Sequence, residues 1–169
     1  MLQSRLAKAL WTLRDDATKV SRVCGVPYTA LPLATLISID NNIPMLMKRK
    51  EAKSYGTKKL IEGAFMPGDN CVIIEDVITS GSSILETVDA LKKEQLNVTE
   101  AYVIIDREQG GRQNLENHGF KVKTLFRVSQ LMKYLLDAEK IKPEIVKDVN
   151  DYLATNKAPI VSIQGKLFL

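Results

Sequence analysis

The stretch "CVIIEDVITSGSS", residues 71–83, decides the fold prediction for this chain. Its apolar start, residues 71–74, has the composition of a short buried β-strand. Two acids, Glu75 and Asp76, follow directly, and then comes a loop of small residues, Thr79–Ser83. A buried strand, a small-residue loop and a following helix form the beginning of a βα unit, which favours the α/β class.

Apolar runs on both sides of this stretch extend the same pattern. Four further runs have the length and composition of buried strands: Arg22–Pro27, Ile43–Met47, Ala101–Asp106 and Lys121–Phe126. Between and around them, apolar residues recur at helical spacing. Five strands that alternate with helices predict an α/β fold with a five-stranded, mainly parallel sheet flanked by helices.

Several residues mark where the predicted helices begin. Pro32 fits the first turn of one helix, and Pro143 fits the first position of the last helix. Ser83 and Glu86 have the spacing of a capping box, which predicts a helix from about residue 84. Ser129 is expected to cap the helix that carries the leucines near residue 135.

Composition limits the classes of function that need to be considered. The chain has 169 residues and a net charge of +4, and its lysines and arginines are spread along the sequence. We therefore expect one domain that binds neither nucleic acid nor a membrane. Cys24 and Cys71 lie in apolar runs without metal-ligand spacing, which indicates buried thiols in a reducing compartment.

The acids and the loop after residue 74 predict a ligand site. Ligands of open parallel sheets bind beyond the carboxyl ends of the strands. Exposed amides, serine hydroxyls and a helix N-terminus at Thr79–Ser83 suit a phosphate. Glu75 and Asp76 would repel that phosphate, but they suit the hydroxyls of a sugar, so the pattern favours a sugar 5-phosphate. The alternative is an acid pair at a strand end and a capped helix that bind no ligand.

Four segments together resemble a known enzyme family. The segment "VIIEDVITSGSS" resembles the phosphoribosyl-diphosphate motif of the type I phosphoribosyltransferases. The segments "MKRKEAKSYGTKKLIEG" and "IIDREQGG" resemble the catalytic loop and the base-binding turn of the orotate phosphoribosyltransferases. The segment "VCGVPYTALPLAT" is similar to the diphosphate turn in the orotate domain of bifunctional UMP synthases.

The resemblance implies a type I phosphoribosyltransferase fold and a specific reaction. Members of the family transfer ribose 5-phosphate from phosphoribosyl diphosphate to orotate, which releases diphosphate and forms orotidine 5'-monophosphate on the route to UMP. The resemblance also implies Mg²⁺ as cofactor, a homodimer with shared active sites and a cytoplasmic location.

The resemblance assigns roles to individual residues of this chain. It places Glu75 and Asp76 on the ribose, and it implies that Thr79 also approaches orotate. Arg107 matches the orotate-binding arginine. The catalytic residues that it implies are Arg49, Lys50, Lys53 and Asp76, and the substrate-binding residues are Glu75, Asp76, Val77, Ile78, Thr79, Ser80, Gly81, Ser82, Ser83, Tyr28, Tyr55 and Arg107.

Two departures from the family pattern keep alternatives open. We expect residues 1–157 to form the phosphoribosyltransferase core and residues 158–169 to form a divergent tail. The hood segment that family members carry before the first helix has no equivalent before Leu2, so we expect an N-terminally truncated domain with the hood largely missing. The alternative functions are a non-catalytic module that binds phosphoribosyl diphosphate or dimerises, and a transferase for a different base.

Overall fold

The computed structural model describes residues 2–15, 17–49 and 60–159. Lys50, Lys53 and Tyr55 of the predicted site and residues 160–169 of the predicted tail lie outside these ranges. The helices are α1 (Leu2–Trp11), α2 (Leu31–Asn41), α3 (Ser82–Lys93), α4 (Gly111–Asn117), α5 (Val128–Asp137) and α6 (Pro143–Thr155). The strands are β1 (Arg22–Gly25), β2 (Met45–Lys48), β3 (Ile61–Glu62), β4 (Asn70–Ile78), β5 (Asn97–Asp106) and β6 (Lys121–Arg127).

The strands form one sheet in the order β3-β2-β1-β4-β5-β6. All neighbouring pairs are parallel except β2 and β3, which are antiparallel. The α/β prediction is therefore confirmed, but the sheet has six described strands rather than five. The additional strand, β3, contains two residues, which is too short to produce a recognisable alternation of apolar and polar residues.

The β2–β3 hairpin brings two distant parts of the chain together. Met47 pairs with Glu62 and Lys48 with Ile61, and the Arg49 amide donates to the Leu60 carbonyl at 2.8 Å. The two residues that flank segment 50–59 are therefore hydrogen-bonded to each other.

Several predicted boundaries differ from the structure. Strand β4 continues to Ile78, so Glu75 and Asp76 lie within it rather than after it. Helix α3 begins at Ser82 with Gly81 as its N-cap, and the expected capping box of Ser83 and Glu86 is wrong. Ser129 lies inside α5 instead of capping it. Pro143, in contrast, is the first residue of α6, as predicted.

Two apolar clusters cover the two faces of the sheet. The first packs α3 and α4 against the sheet through residues such as Ile73, Leu91 and Leu115. The second packs α1 and α2 against the opposite face through residues such as Leu10 and Ile37. Burial of both sheet faces explains why the central strands are continuously apolar instead of alternating.

A buried carboxylate lies on the α1 side of the sheet. Glu100 is 2% exposed, and it accepts hydrogen bonds from Tyr102 Oη at 2.7 Å and from Thr18 Oγ1 at 3.4 Å. Lys123 Nζ lies 4.0 Å from Glu100 Oε2, donates to the Leu13 carbonyl at 2.9 Å and pairs with Asp15 at 2.7 Å. This network connects β5 and β6 to the segment that follows α1.

None of the helices in the described ranges is both long and apolar enough to cross a membrane.

Candidate functional site

The sheet has a crevice where its strand order reverses, between β1 and β4. From β1 the chain passes to β2 on one side, and β4 then lies on the other side of β1. The last residue pair of β1 and β4 is Gly25–Ile74, whereas β4 continues beside β5 as far as Ile78 and Asp106. Open parallel sheets bind ligands at such a point. The edge of Glu75–Ile78 that faces β1 therefore borders this crevice.

The loop Thr79–Gly81 presents backbone amides to one side. The carbonyls of Ile78, Thr79 and Ser80 accept hydrogen bonds from Arg107 N at 3.0 Å, Gly111 N at 2.9 Å and Asn114 Nδ2 at 3.0 Å, respectively. These peptide bonds are trans, and in a trans peptide the carbonyl and the next amide point in opposite directions. The amides of Thr79, Ser80 and Gly81 therefore point away from α4.

Hydroxyl groups add to the polarity of this loop. Ser80 Oγ and Ser82 Oγ are 2.9 Å apart, and the Ser82 amide donates to Ser80 Oγ at 3.3 Å. Gly81 has φ +81°, a left-handed conformation that glycine adopts without strain. Because this turn leads directly into α3, the positive end of a helix dipole lies beside the serine hydroxyls. Amides, hydroxyls and dipole together form a suitable environment for a phosphate group.

Glu75 lies beneath the loop and is 5% exposed. Its Oε1 accepts from the Asp76 amide at 3.0 Å, and its Oε2 accepts from Ser83 Oγ at 2.9 Å. Burial, followed by a hydrogen bond that protonated Glu75 donates to the neighbouring Asp76 side chain, raises the pKa of Glu75 to about 8. The raised pKa favours the neutral form of this carboxyl group, which would reduce the repulsion between the acid pair and a phosphate in the loop.

Asp76 is half-buried and adjoins Glu75, and its Oδ1 accepts from the Val77 amide at 2.9 Å. Val77 is also half-buried, and Ile78 is fully buried. The prediction that both acids contact one sugar stays a prediction.

Helix α4 supports the loop from behind through two residues that the sequence analysis did not single out. Asn114 is 5% exposed and holds the Ser80 carbonyl, as described above. A Cβ atom on Gly111 would lie 2.5 Å from the Thr79 carbonyl oxygen and 2.9 Å from the Gly81 nitrogen. Gly111, the second glycine of "REQGG", therefore allows close contact between α4 and the loop. The sequence signal for this contact is the pairing of that glycine with a loop of small residues.

The remaining predicted site residues that are described lie at the same end of the sheet. Tyr28 follows β1 and is 64% exposed. Arg107 follows β5 and is half-buried. Arg49 follows β2 and forms an ion pair with Glu62 of β3. The parallel topology brings the carboxyl ends of β1, β2, β4 and β5 to one edge of the sheet, and Arg49 has a carboxylate partner within its own chain.

The acids of the site suit a metal ion that is shared with substrate phosphates better than a metal ion that the protein alone holds. Among the described residues, no group of three His, Cys, Asp or Glu side chains could hold a metal ion. Mg²⁺ commonly uses one or two carboxylates and completes its shell with water and substrate phosphates. The half-buried carboxylate of Asp76 fits such a shared site.

Known proteins with similar sequences are named uridine 5'-monophosphate synthase and orotate phosphoribosyltransferase. The chain is 48% identical to uridine 5'-monophosphate synthase of Bos taurus over 154 residues, which are 90% of this chain and 32% of that protein. It is 45% identical to orotate phosphoribosyltransferase of Caenorhabditis elegans, with 80% and 60% of the two chains covered. The orotate phosphoribosyltransferase of Chlamydia felis is 45% identical, with 81% and 67% covered. The chain thus spans less than two thirds of the first two relatives.

Solved structures show the same fold. UMP synthase of Leishmania donovani superimposes with a TM-score of 0.81 at 29% identity, covering 90% of this chain and 33% of that one. Orotate phosphoribosyltransferase of Mycobacterium tuberculosis in complex with 5-phospho-alpha-D-ribosyl 1-diphosphate gives a TM-score of 0.64 at 25% identity, covering 76% and 75%. The phosphoribosyl transferase domain family matches residues 2–129, more than half of the sequence. The chain therefore belongs to the phosphoribosyl transferase domain family.

Proposed function

We propose that this chain is an orotate phosphoribosyltransferase of pyrimidine biosynthesis, which forms orotidine 5'-monophosphate and diphosphate from orotate and phosphoribosyl diphosphate. The observation that carries this proposal is the orientation of the Thr79–Gly81 amides beside the acid pair of β4. The names of the relatives at 45–48% identity support the choice of orotate as the acceptor base.

The proposed roles follow the chemistry of each group. The loop Thr79–Ser83 binds the 5-phosphate, and Glu75 and Asp76 bind the ribose hydroxyls. Arg107 binds the anionic base, because a guanidinium pairs well with a carboxylate. Val77 and Ile78 border the site, and Tyr28 lies near the diphosphate.

Cations are proposed to stabilise the leaving diphosphate. The bond from the anomeric carbon to the diphosphate oxygen breaks as the bond to the base nitrogen forms, so negative charge grows on the leaving group. Arg49, Lys50 and Lys53 supply positive charge there, and Tyr55 donates a hydrogen bond. Mg²⁺, when bound, would neutralise diphosphate charge beside Asp76. Shared sites in a homodimer and a cytoplasmic location belong to the same proposal, and the two free thiols suit a reducing compartment.

A second candidate is a module that binds phosphoribosyl diphosphate without catalysis. The ion pair between Arg49 and Glu62 favours it, because this pair occupies a cation that the transferase proposal assigns to the diphosphate. Catalysis would require Arg49 to exchange the carboxylate of Glu62 for the leaving group.

One assay separates the two candidates. The purified chain is mixed with orotate, phosphoribosyl diphosphate and Mg²⁺, and orotate consumption is followed by its ultraviolet absorbance. The transferase proposal expects consumption that depends on both substrates and that Arg107→Ala abolishes. Absence of turnover together with calorimetric binding of phosphoribosyl diphosphate would instead support the binding module, and absence of both would refute both candidates.

A further inference from the structure

The loop after β5, residues Arg107–Gly110, has little regular structure to hold it. Glu108 has φ +59° and Gly110 has φ +105°, so the backbone leaves the strand conformation immediately after Arg107. The Glu108 amide donates to Asp106 Oδ1 at 2.7 Å, and Gln109 is 5% exposed. A loop of this kind needs contacts from other segments to keep one conformation.

The start of α5 supplies the first of these contacts. Ser129 donates to both carboxylate oxygens of Glu108, from its amide at 2.7 Å and from its Oγ at 2.9 Å. Hydrogen bonds to an ionised group are stronger than neutral ones, and the carboxylate also lies at the positive end of α5.

The segment after α6 supplies the other contacts. Gln109 Nε2 donates to the Asn156 carbonyl at 2.6 Å, and the Ala158 amide donates to the Gln109 carbonyl at 2.8 Å. Lys157 Nζ donates to the Glu108 carbonyl at 3.1 Å. We name the four residues that hold the loop, Ser129 and Asn156–Ala158, the C-terminal clamp.

Helices α5 and α6 bury few apolar side chains, so these polar contacts contribute more to holding them against the loop. No described residue of α5 is buried, and Leu153 is the buried residue of α6. Residues 156–158 also lie beyond the part of the chain that the family matches, residues 2–129. Three of the four clamp residues therefore lie outside the family match.

We infer that the C-terminal clamp consists of positioning residues that fix the loop carrying Arg107 and thereby set the affinity for the anionic base. This inference rests on the proposed function, in which Arg107 binds orotate. The clamp bonds to Glu108 and Gln109, whereas the hydrogen bonds to Ile78 and Thr79 come from Arg107 and Gly111 on either side of them. The clamp should therefore influence binding of the base more than binding of phosphoribosyl diphosphate.

One clamp variant, Ser129→Ala, one variant of the loop residue that the clamp holds, Gln109→Met, and two controls test this inference. Ser129→Ala removes the hydroxyl donor to Glu108, whereas Ser129→Thr keeps it. Gln109→Met removes the donor to Asn156 in a side chain of similar shape. It also removes Gln109 Oε1, which has no hydrogen-bond partner among the described residues, so the variant should still fold. Lys147→Ala is the matched control, because Lys147 lies exposed on α6 and pairs with Asp151.

We expect Ser129→Ala and Gln109→Met to raise the KM for orotate by about tenfold, which corresponds to the loss of one strong hydrogen bond. The KM for phosphoribosyl diphosphate should change by less than about twofold, and Ser129→Thr and Lys147→Ala should behave like the wild type. Equal changes in both KM values, or none, would overturn the inference.

A second measurement keeps the inference testable if the wild-type chain proves inactive. Hydrogen exchange of the backbone amides in residues 107–111 should accelerate at least about tenfold in Gln109→Met and remain unchanged in Lys147→Ala. Unchanged amide hydrogen exchange in Gln109→Met would contradict the inferred role of the clamp. An inactive wild-type chain with accelerated exchange would reject only the proposed function.

Discussion

At the scale of single residues, burial determines the chemistry of the site more than residue type does. Glu75 and Asp76 are adjacent carboxylates, but Glu75 is buried under the loop and Asp76 is half-buried. The pKa of Glu75 rises to about 8, first because of burial and then because of its neighbour. Burial therefore favours the protonated form of Glu75, and binding of a cation at the site would favour release of that proton.

The raised pKa of Glu75 predicts a specific pH dependence of stability. The native state holds the Glu75 proton up to about pH 8, whereas the unfolded chain loses it near its ordinary value of 4.5. The free energy of unfolding contributed by Glu75 is thus complete below pH 4.5 and falls until about pH 8. Relative to Glu75→Gln, the wild type should lose on the order of a few kcal/mol across this window. Urea unfolding of both proteins from pH 5 to 9 measures the difference, and parallel profiles would contradict the prediction.

The close packing around Gly111 predicts how a substitution there would change stability and binding. In Gly111→Ala the new Cβ would meet the Thr79 carbonyl oxygen, so α4 and the loop must separate. We expect a loss of about 1–3 kcal/mol in stability and weaker binding of phosphoribosyl diphosphate. Thermal unfolding and calorimetry measure these effects. Gln113→Ala is the control, because Gln113 is exposed on the same helix. Unaltered binding in Gly111→Ala would show that the contact does not shape the loop.

At the scale of elements, the edge strand β6 is attached to α1 through charge as well as apolar contact. Lys123 bridges the buried Glu100, the carboxylate of Asp15 and the carbonyl of Leu13. The bond from Lys123 lowers the pKa of the exposed Asp15 below its ordinary value. Glu100 has Tyr102 and Thr18 as hydrogen donors, and Lys121 and Lys123 of β6 lie 3.9 and 4.0 Å from its carboxylate oxygens.

This arrangement predicts that Lys123→Met weakens the junction between β6 and α1. Methionine keeps the apolar stem but leaves Glu100 buried with less compensating charge, so the protein should lose about 1–3 kcal/mol of stability. Lys121→Met is the matched control, because Lys121 is 72% exposed and lies 3.9 Å from the same carboxylate. It should change stability by about 0.5 kcal/mol or less. Urea midpoints measure both, and equal effects would argue against the network.

At the scale of the whole molecule, the sequence predicted local elements better than their tertiary contacts. The strands were predictable because each is a short apolar run, and Pro143 marked the start of α6 correctly. The expected caps failed because the hydroxyls of Ser83 and Ser129 instead bond to Glu75 and Glu108, which belong to other elements. Local spacing cannot reveal such contacts, since they depend on which elements the fold brings together.

The two cysteines offer a measure of the integrity of the whole fold. Cys24 and Cys71 are buried in the first apolar cluster, and burial raises the pKa of Cys24 to about 12 and that of Cys71 well above its ordinary value. Because the thiolate is the reactive form, an aromatic disulfide reagent should label neither thiol in the native protein and both in urea. The absorbance of the released thiolate counts them. Rapid labelling under native conditions would indicate a looser core than described.

The hydrogen bond between Arg49 and Leu60 has a consequence for how such a protein can diversify. Residues 49 and 60 are held side by side by the β2–β3 hairpin, so the chain between them starts and ends at neighbouring points. A chain closure of this kind costs only about 0.6 kcal/mol more for each doubling in length. A change in the number of residues between Arg49 and Leu60 should therefore cost little closure entropy, and we expect the β2–β3 hairpin to tolerate insertions at this position.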